Sequence, residues 1–124
     1  MTDAELIQIA CSLIRQRFVE GRHHIGAALV TRTGTVFTGV HVEAYVGRIT
    51  LCGEAVAIGA AATAGDTDIE TIVAVNELGA VASPCGMCRE LIYDYAPSAR
   101  VIIPNGAESI AVPVSSLLPY KYKR

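Results

Sequence analysis

Two short runs constrain this chain more than anything else in it: Leu51-Cys52-Gly53-Glu54 and Ser83-Pro84-Cys85-Gly86-Met87-Cys88. Each opens a stretch with helical character. Cys52 to Ala64 is alanine-rich, lacks proline and closes at Gly65; Cys85 to Tyr95 follows Pro84 and is stopped by Pro97. A cysteine at a helix start meets unpaired backbone N–H groups and the positive end of the helix dipole, and both favour its thiolate. The C-x-x-C spacing turns Cys85 and Cys88 to one side of their helix. With Cys52 they form a donor set for one zinc ion, since a catalytic zinc takes three protein ligands and leaves a fourth position for water. Glu54, two residues beyond Cys52, is spaced to act on that water as a general base without binding the metal. Any fold of this chain therefore has to bring residues 52–54 and 85–88 together. Two other uses of the cysteines stay open at this point. Cys85 and Cys88 alone also suit a redox dithiol, and the three together suit a structural or inactive zinc scaffold.

The remaining segments suggest how the runs meet. Thr2-Asp3-Ala4-Glu5 matches a capping box. The apolar stripe Leu6, Ile7, Ile9, Ala10, Leu13, Ile14 and Phe18 then predicts a helix ending before Gly21. Cys11 lies within it and reads as a small buried hydrophobe. Ile25 to Val30 and Val36 to Val42 are strand-like, joined by Thr31-Arg32-Thr33-Gly34, where glycine supplies positive φ for a hairpin turn. Ala44 to Thr50 reads as loop. Ile69 to Asn76 is a strand, apolar without interruption from Ile72 to Val75 and so buried on both faces. Val101 to Ile103 and Ile110 to Val112 are two more strands, and Ser115 to Leu118 a last turn. The order α-β-β-α-β-α-β-β predicts an α/β fold, a three-layer α/β/α arrangement with a mixed five-stranded sheet, residues 1–124 forming one domain.

Composition narrows the classes of partner. The net charge is −2 and no basic run exists beyond the short Lys121-Tyr122-Lys123-Arg124 end, which gives no footprint for nucleic acid. No apolar run approaches the roughly 20 residues that span a bilayer, so no membrane partner is expected. The acidic start, Met1 to Glu5, does not read as a signal peptide, and a cytoplasmic location is expected. Only 18% of residues are charged against 52% hydrophobic. A short chain with so little charge is expected to bury surface against copies of itself.

Cys52-Gly53-Glu54 with Pro84-Cys85-Gly86-Met87-Cys88 resembles the zinc-deaminase signature. Over nearly its whole length the chain resembles the small cytidine deaminase family. Ile25-Gly26-Ala27-Ala28-Leu29 resembles that family's first-strand V-G-A-A-L. Phe37-Thr38-Gly39-Val40-His41-Val42-Glu43 resembles its second strand, G-x-N-V-E, and Leu117-Leu118-Pro119-Tyr120 its L-L-P-aromatic end. Val40 to Glu43, Cys52 to Val56 and the Leu-Leu-Pro end also resemble blasticidin-S deaminase, a relative acting on a cytosine-bearing antibiotic.

The resemblance implies a cytidine deaminase-like fold and a Zn2+ held by Cys52, Cys85 and Cys88. It implies hydrolysis of cytidine or deoxycytidine to the uracil nucleoside and ammonia, with another modified cytosine compound as the alternative substrate. Glu54 would move the protons, and the backbone at Gly53 would help hold the base. Glu43 and His41 would take the place of the family's ribose-binding glutamate and asparagine. His23 would replace a phenylalanine of the pocket, and Tyr120 and Tyr122 the aromatic C-terminal wall. A homotetramer with shared pockets is also implied. Three thiolates leave the zinc site with a net negative charge. The arginine that follows the glutamate in three-cysteine members is Ala55 here, so Arg89 or Arg48 is expected to supply the balancing charge.

Overall fold

The strands that read as apolar runs form the middle of one mixed sheet. A computed structural model describes residues 1–124. In chain order the elements are helix α1 (Asp3–Arg17), strands β1 (Ile25–Thr31) and β2 (Val36–Val40), helix α2 (Gly53–Thr63), strands β3 (Ile69–Asn76) and β4 (Val81–Ala82), helix α3 (Gly86–Tyr95), and strands β5 (Arg100–Asn105) and β6 (Glu108–Pro113). Short 3-10 turns occupy Gly47–Ile49 and Val114–Leu117.

The sheet runs β2-β1-β3-β5-β6, with β4 also paired to β3. Only β3 and β5 are parallel, and α3 lies in the connection between them. Alternate residues of β1 and β3 face opposite sides. Ala28, Val30, Val73 and Val75 meet Leu6, Ala10, Cys11 and Ile14 of α1. Ala27, Leu29, Ile72 and Ala74 belong to the core that holds Ala57, Ile58 and Ala61 of α2 and Ile92 of α3. The three layers are thus α1, the sheet, and α2 with α3. The expected capping box starts α1: Glu5 N–H donates to Thr2 Oγ1 at 3.1 Å, and Thr2 N–H to Glu5 Oε2 at 3.3 Å. Cys11 is 5% exposed and packs in the core beneath α1.

Two local features set the position of the functional end. The first is how closely α2 lies on β2. A Cβ at Gly39 would stand 2.5 Å from the amide nitrogen of Ala57 and 2.6 Å from the carbonyl oxygen of Gly53. No side chain fits there, so glycine at 39 lets the first turns of α2 lie directly on the strand. The second is β4, a sixth strand where five were expected. After β3 the chain folds back through a turn closed by Asn76, whose Oδ1 accepts from the amides of Leu78 and Ala80 at 3.0 Å each. Val81 and Ala82 then pair with Val75 and Ala74, further along the edge of β3 that β5 uses at Thr71 and Ile72. Two residues show no periodicity, which is why the sequence reads as loop there. Their pairing nonetheless delivers Ser83-Pro84-Cys85 to the C-terminal end of β3. The other differences are of length. β2 stops at Val40, Val42 pairs with Leu51 in an isolated bridge, and β5 and β6 extend beyond the apolar triplets that announced them.

Candidate active site

Cys52 is the N-cap residue of α2 and Cys85 that of α3. Serine, threonine, aspartate or asparagine at such a position would bond back to its own helix. Neither cysteine does so, and both thiols stay available. Cys88 follows in the first turn of α3, so two helix N-termini converge on one point. The three sulfurs lie within 4.8 Å of one another, with Cys52 Sγ and Cys85 Sγ at 3.8 Å. A tetrahedral zinc with Zn–S bonds of about 2.3 Å spaces its sulfurs about 3.8 Å apart.

The electrostatics point the same way. Burial pushes the Cys88 thiol far up, and the nearby Glu54 carboxylate pushes it further. Burial also raises Cys52. Burial opposes ionisation of Cys85 too, but the nearby backbone N–H groups of Cys88 and Met87 and the neighbouring thiols outweigh it and hold this thiol below its usual range. Glu54 is only 6% exposed, and burial raises its carboxyl above the ordinary value. Cys52, Cys88 and the buried acid thus resist ionisation until a cation joins them, while Cys85 is the thiol that ionises most readily. The donor set fits zinc in number, softness and spacing.

Cys52, Glu54 and Cys85 share a cavity of about 160 Å³ walled by Ile25, Ala74 and Ala82, with Gly53, His41 and Ser83 as its other polar edges. A small, largely apolar cavity that shares Cys52 and Cys85 with a metal-binding cluster suits an aromatic heterocycle. At its mouth His41 Nε2 lies 2.8 Å from Glu43 Oε1, and Thr50 Oγ1 donates to Glu43 Oε2 at 3.2 Å. The bond from His41, aided by that from Thr50, holds the Glu43 carboxyl below the usual carboxylate value.

Residues 1–104 match the family model of the cytidine and deoxycytidylate deaminase zinc-binding region. The chain belongs to the cytidine and deoxycytidylate deaminase family. It is 44% identical to the blasticidin-S deaminase of Bacillus cereus, over 98% of this chain and 93% of that one. It is 32% identical to the cytidine deaminase of Halalkalibacterium halodurans, over 79% and 76% of the two chains. The crystal structure of cytidine deaminase from Mycobacterium tuberculosis superposes with a TM-score of 0.84 at 26% identity, covering 100% of both chains. That from Burkholderia pseudomallei also gives 0.84, at 30% identity, covering 98% of this chain and 100% of the other. This chain is a zinc-dependent aminohydrolase of that family, and its Cys52, Cys85 and Cys88 are positioned for the ion.

Of the other residues singled out from the sequence of this deaminase, His41 and Gly53 line the pocket, whereas Glu43 does not line it and is joined to it through its bond to His41. His23 is placed differently from the expectation. Its Nδ1–H donates to the carbonyl oxygen of His41 at 2.8 Å, behind the pocket wall, because an isolated bridge between Val19 and His23 turns the segment back toward α1. Tyr120 and Tyr122 are exposed and do not line the pocket of their own chain. Tyr122 borders a separate cavity on α3, because Lys121 between them is tied down by Glu90 at 2.9 Å and Asp94 at 2.7 Å.

The two arginines also differ. Arg89 is fully engaged: Nε donates to the carbonyl of Pro84 at 2.9 Å, and the two terminal nitrogens to Ser83 Oγ at 3.0 Å and the carbonyl of Leu117 at 3.2 Å. It forms no ion pair, so its charge faces only neutral acceptors around the Cys85 loop. Arg48 is exposed and lines a second cavity of about 300 Å³ with Cys52, Ala55, Met87, Cys88 and Leu91. Sequence reasoning missed Ser83, Thr50 and the apolar wall of Ile25, Ala74 and Ala82. Ser83 and Thr50 each sit two residues before a cysteine, and that proximity was the available signal.

Proposed function

We propose that this deaminase removes the 4-amino group of a cytosine ring carried by a nucleoside-like compound, releasing ammonia and leaving a uracil ring. A blasticidin-S-like compound is the first substrate class, supported by 44% identity over 98% of the chain. Cytidine and deoxycytidine are the second, supported by the relatives at 32% identity. The observation that carries the reading is a cluster of three cysteine sulfurs, two of which, Cys52 and Cys85, share one small pocket with the buried carboxylate of Glu54.

Zinc, when bound by Cys52, Cys85 and Cys88, supplies a Lewis acid that makes water a competent nucleophile near neutral pH. The chain's own groups do the rest. Glu54 sits at the second residue of α2, between the sulfurs and the apolar wall, and burial raises its proton affinity toward the working pH. It accepts one proton of the attacking water and delivers it to ring nitrogen N3, then takes the proton of the new C4 hydroxyl and passes it to the amine, so that ammonia leaves as the C4 carbonyl forms. The two helix N-termini and the charge of Arg89 or Arg48 offset the anionic cluster. Ile25, Ala74 and Ala82 exclude water from the ring's faces.

The expected setting is a homo-oligomer, a tetramer, of single-domain chains in the cytoplasm. Exposed apolar residues support association: Tyr45 is 96% exposed, Val46 69%, Ile49 63% and Met87 75%. In such an assembly Tyr120 and Tyr122 would reach a neighbouring copy. No helix is long and apolar enough to cross a membrane.

Ammonia release on a panel of blasticidin S, cytidine, deoxycytidine, cytosine and 5-substituted cytidines tests the reading, with zinc content measured on the same preparation. Stoichiometric zinc with turnover of at least one cytosine is the expected result. A metal-free active dithiol would establish redox chemistry instead, and a zinc-loaded chain inert on the whole panel would leave a scaffold.

A further inference from the structure

We propose that His41 is a positioning residue. Its ring, fixed in one tautomer, holds the exposed Glu43 next to the pocket as the anchor for the substituent on the cytosine ring, and makes no hydrogen bond to substrate itself. The proposal rests on reading the 160 Å³ cavity as the cytosine site.

A neutral imidazole carries one N–H and one acceptor nitrogen. His41 Nδ1 lies 3.1 Å from the backbone N–H of His24, which can only donate. Nδ1 is therefore the acceptor, the proton sits on Nε2, and Nε2–H donates to Glu43 Oε1 at 2.8 Å. Both ring nitrogens are consumed inside the protein. The backbone of His41 is held equally firmly: its N–H donates to the Ile25 carbonyl at 2.9 Å, and its own carbonyl accepts from His23 Nδ1 at 2.8 Å. His24 closes the frame, its Nε2 accepting from the Gly21 amide at 2.9 Å. The doublet His23-His24 thus serves to fix His41.

Glu43 receives the benefit. Its two oxygens take His41 and Thr50, and its N–H donates to the Arg22 carbonyl at 3.0 Å. Each carboxylate oxygen keeps an unused acceptor direction, and the residue is exposed. The mouth therefore offers a fixed acceptor and no donor from His41. The matching ligand chemistry is a hydrogen-bond donor on the ring substituent, either a sugar hydroxyl or a cationic amine or guanidine.

A double-mutant cycle separates positioning from direct contact. E43A is expected to raise KM about 10–100-fold on a donor-bearing cytosine, the worth of a hydrogen bond to a charged group. Its kcat is expected to change little. H41A should do the same, and H41A/E43A should be no worse than E43A. H41Q, whose amide N–H reaches the Nε2 position, should recover most of the loss. 1-Methylcytosine, which has no such donor, should be indifferent to E43A. Loss that deepens at low salt and fades at high salt identifies a cationic substituent, and a salt-independent loss a hydroxyl. Nitrogen-15 shifts of the His41 ring in the ligand-free chain should show the Nε2–H tautomer. Multiplicative effects in the double mutant, or a ring exchanging freely between tautomers, overturn the proposal. A wild-type chain inert on every cytosine overturns the parent reading, and the anchoring role with it, whatever the tautomer.

Discussion

The floor of the pocket and its mouth are built on opposite rules. At the floor, Cys52, Cys85, Cys88 and Glu54 are gathered with no positive side chain bonded to any of them. At the mouth, His41, Glu43 and Thr50 satisfy one another and are braced by the backbone on three sides. A crowd of acidic groups that resist ionising beside one another calls for a cation, whereas a hydrogen-bonded polar network is a rigid template. The proposed function puts reactivity where the protein left its polar groups incomplete, and the proposed role of His41 puts selectivity where it completed them.

The sharpest way to break that contrast is at the floor. Glu54→Gln should lower kcat by roughly 10²–10⁴-fold on any accepted cytosine, with zinc still bound. Ammonia release together with metal analysis checks both halves, and unimpaired turnover would remove Glu54 from the chemistry. Cys88→Ser should be comparably damaging but through the metal, so zinc content should fall with activity. A step smaller is the support beneath the floor. Gly39→Val puts a side chain against backbone atoms of Gly53 and Ala57. It should cost at least about 1–3 kcal/mol in a urea titration and shift the first turn of α2, weakening zinc binding in a chelator competition.

Arg89→Gln should have an intermediate effect. It removes donors from Ser83, Pro84 and Leu117, and should lower both melting temperature and zinc affinity, the latter by about 10-fold. Arg48→Gln, on an exposed side chain, should leave stability alone. If it alone lowers zinc affinity, the balancing charge comes through the second cavity.

The smallest expected effect concerns pH at the mouth. Glu43 is held below the ordinary carboxyl value, mainly by the bond from His41. A depressed carboxyl contributes in its ionised form, so its support is present above the unfolded value and is lost as pH falls through the lowered one. Carbon-13 titration of Glu43 should therefore give a midpoint below that of an ordinary carboxyl, and His41→Ala should move it back upward. An unmoved midpoint would mean that the mouth is less tightly coupled than the floor contrast requires.

The metal-binding floor was legible in the sequence because its chemistry is concentrated in two local runs whose spacing is itself the signal. The first helix was legible through Thr2 and Glu5, and the central strands through their unbroken apolar runs at 27–30 and 72–75. The mouth was only half legible. His41 and Glu43 could be named, but the roles of their atoms depend on His24 and Thr50, which approach from other segments. His23 was misplaced for the same reason: a histidine's direction follows from the bridge at Val19 and the carbonyl it meets, and neither is written in its neighbours. Strand β4 was invisible because its cause is the Asn76 turn, a contact of one side chain with two amides. The expected reach of Tyr120 and Tyr122 depends on a second copy, and the single chain leaves both facing outward.

The use of cysteines as helix caps has a further consequence. Cys52 and Cys85 stand 33 residues apart in the chain, and everything from α2 through β4 lies between them. An ion held by both would act as a reversible cross-link across that loop. A covalent tie around a loop of this length restricts the unfolded chain by about 3–4 kcal/mol. The tie here can be made and undone by metal supply, so resistance to unfolding and to proteolysis should rise with free zinc. The catalytic ion would then also set how long the molecule survives.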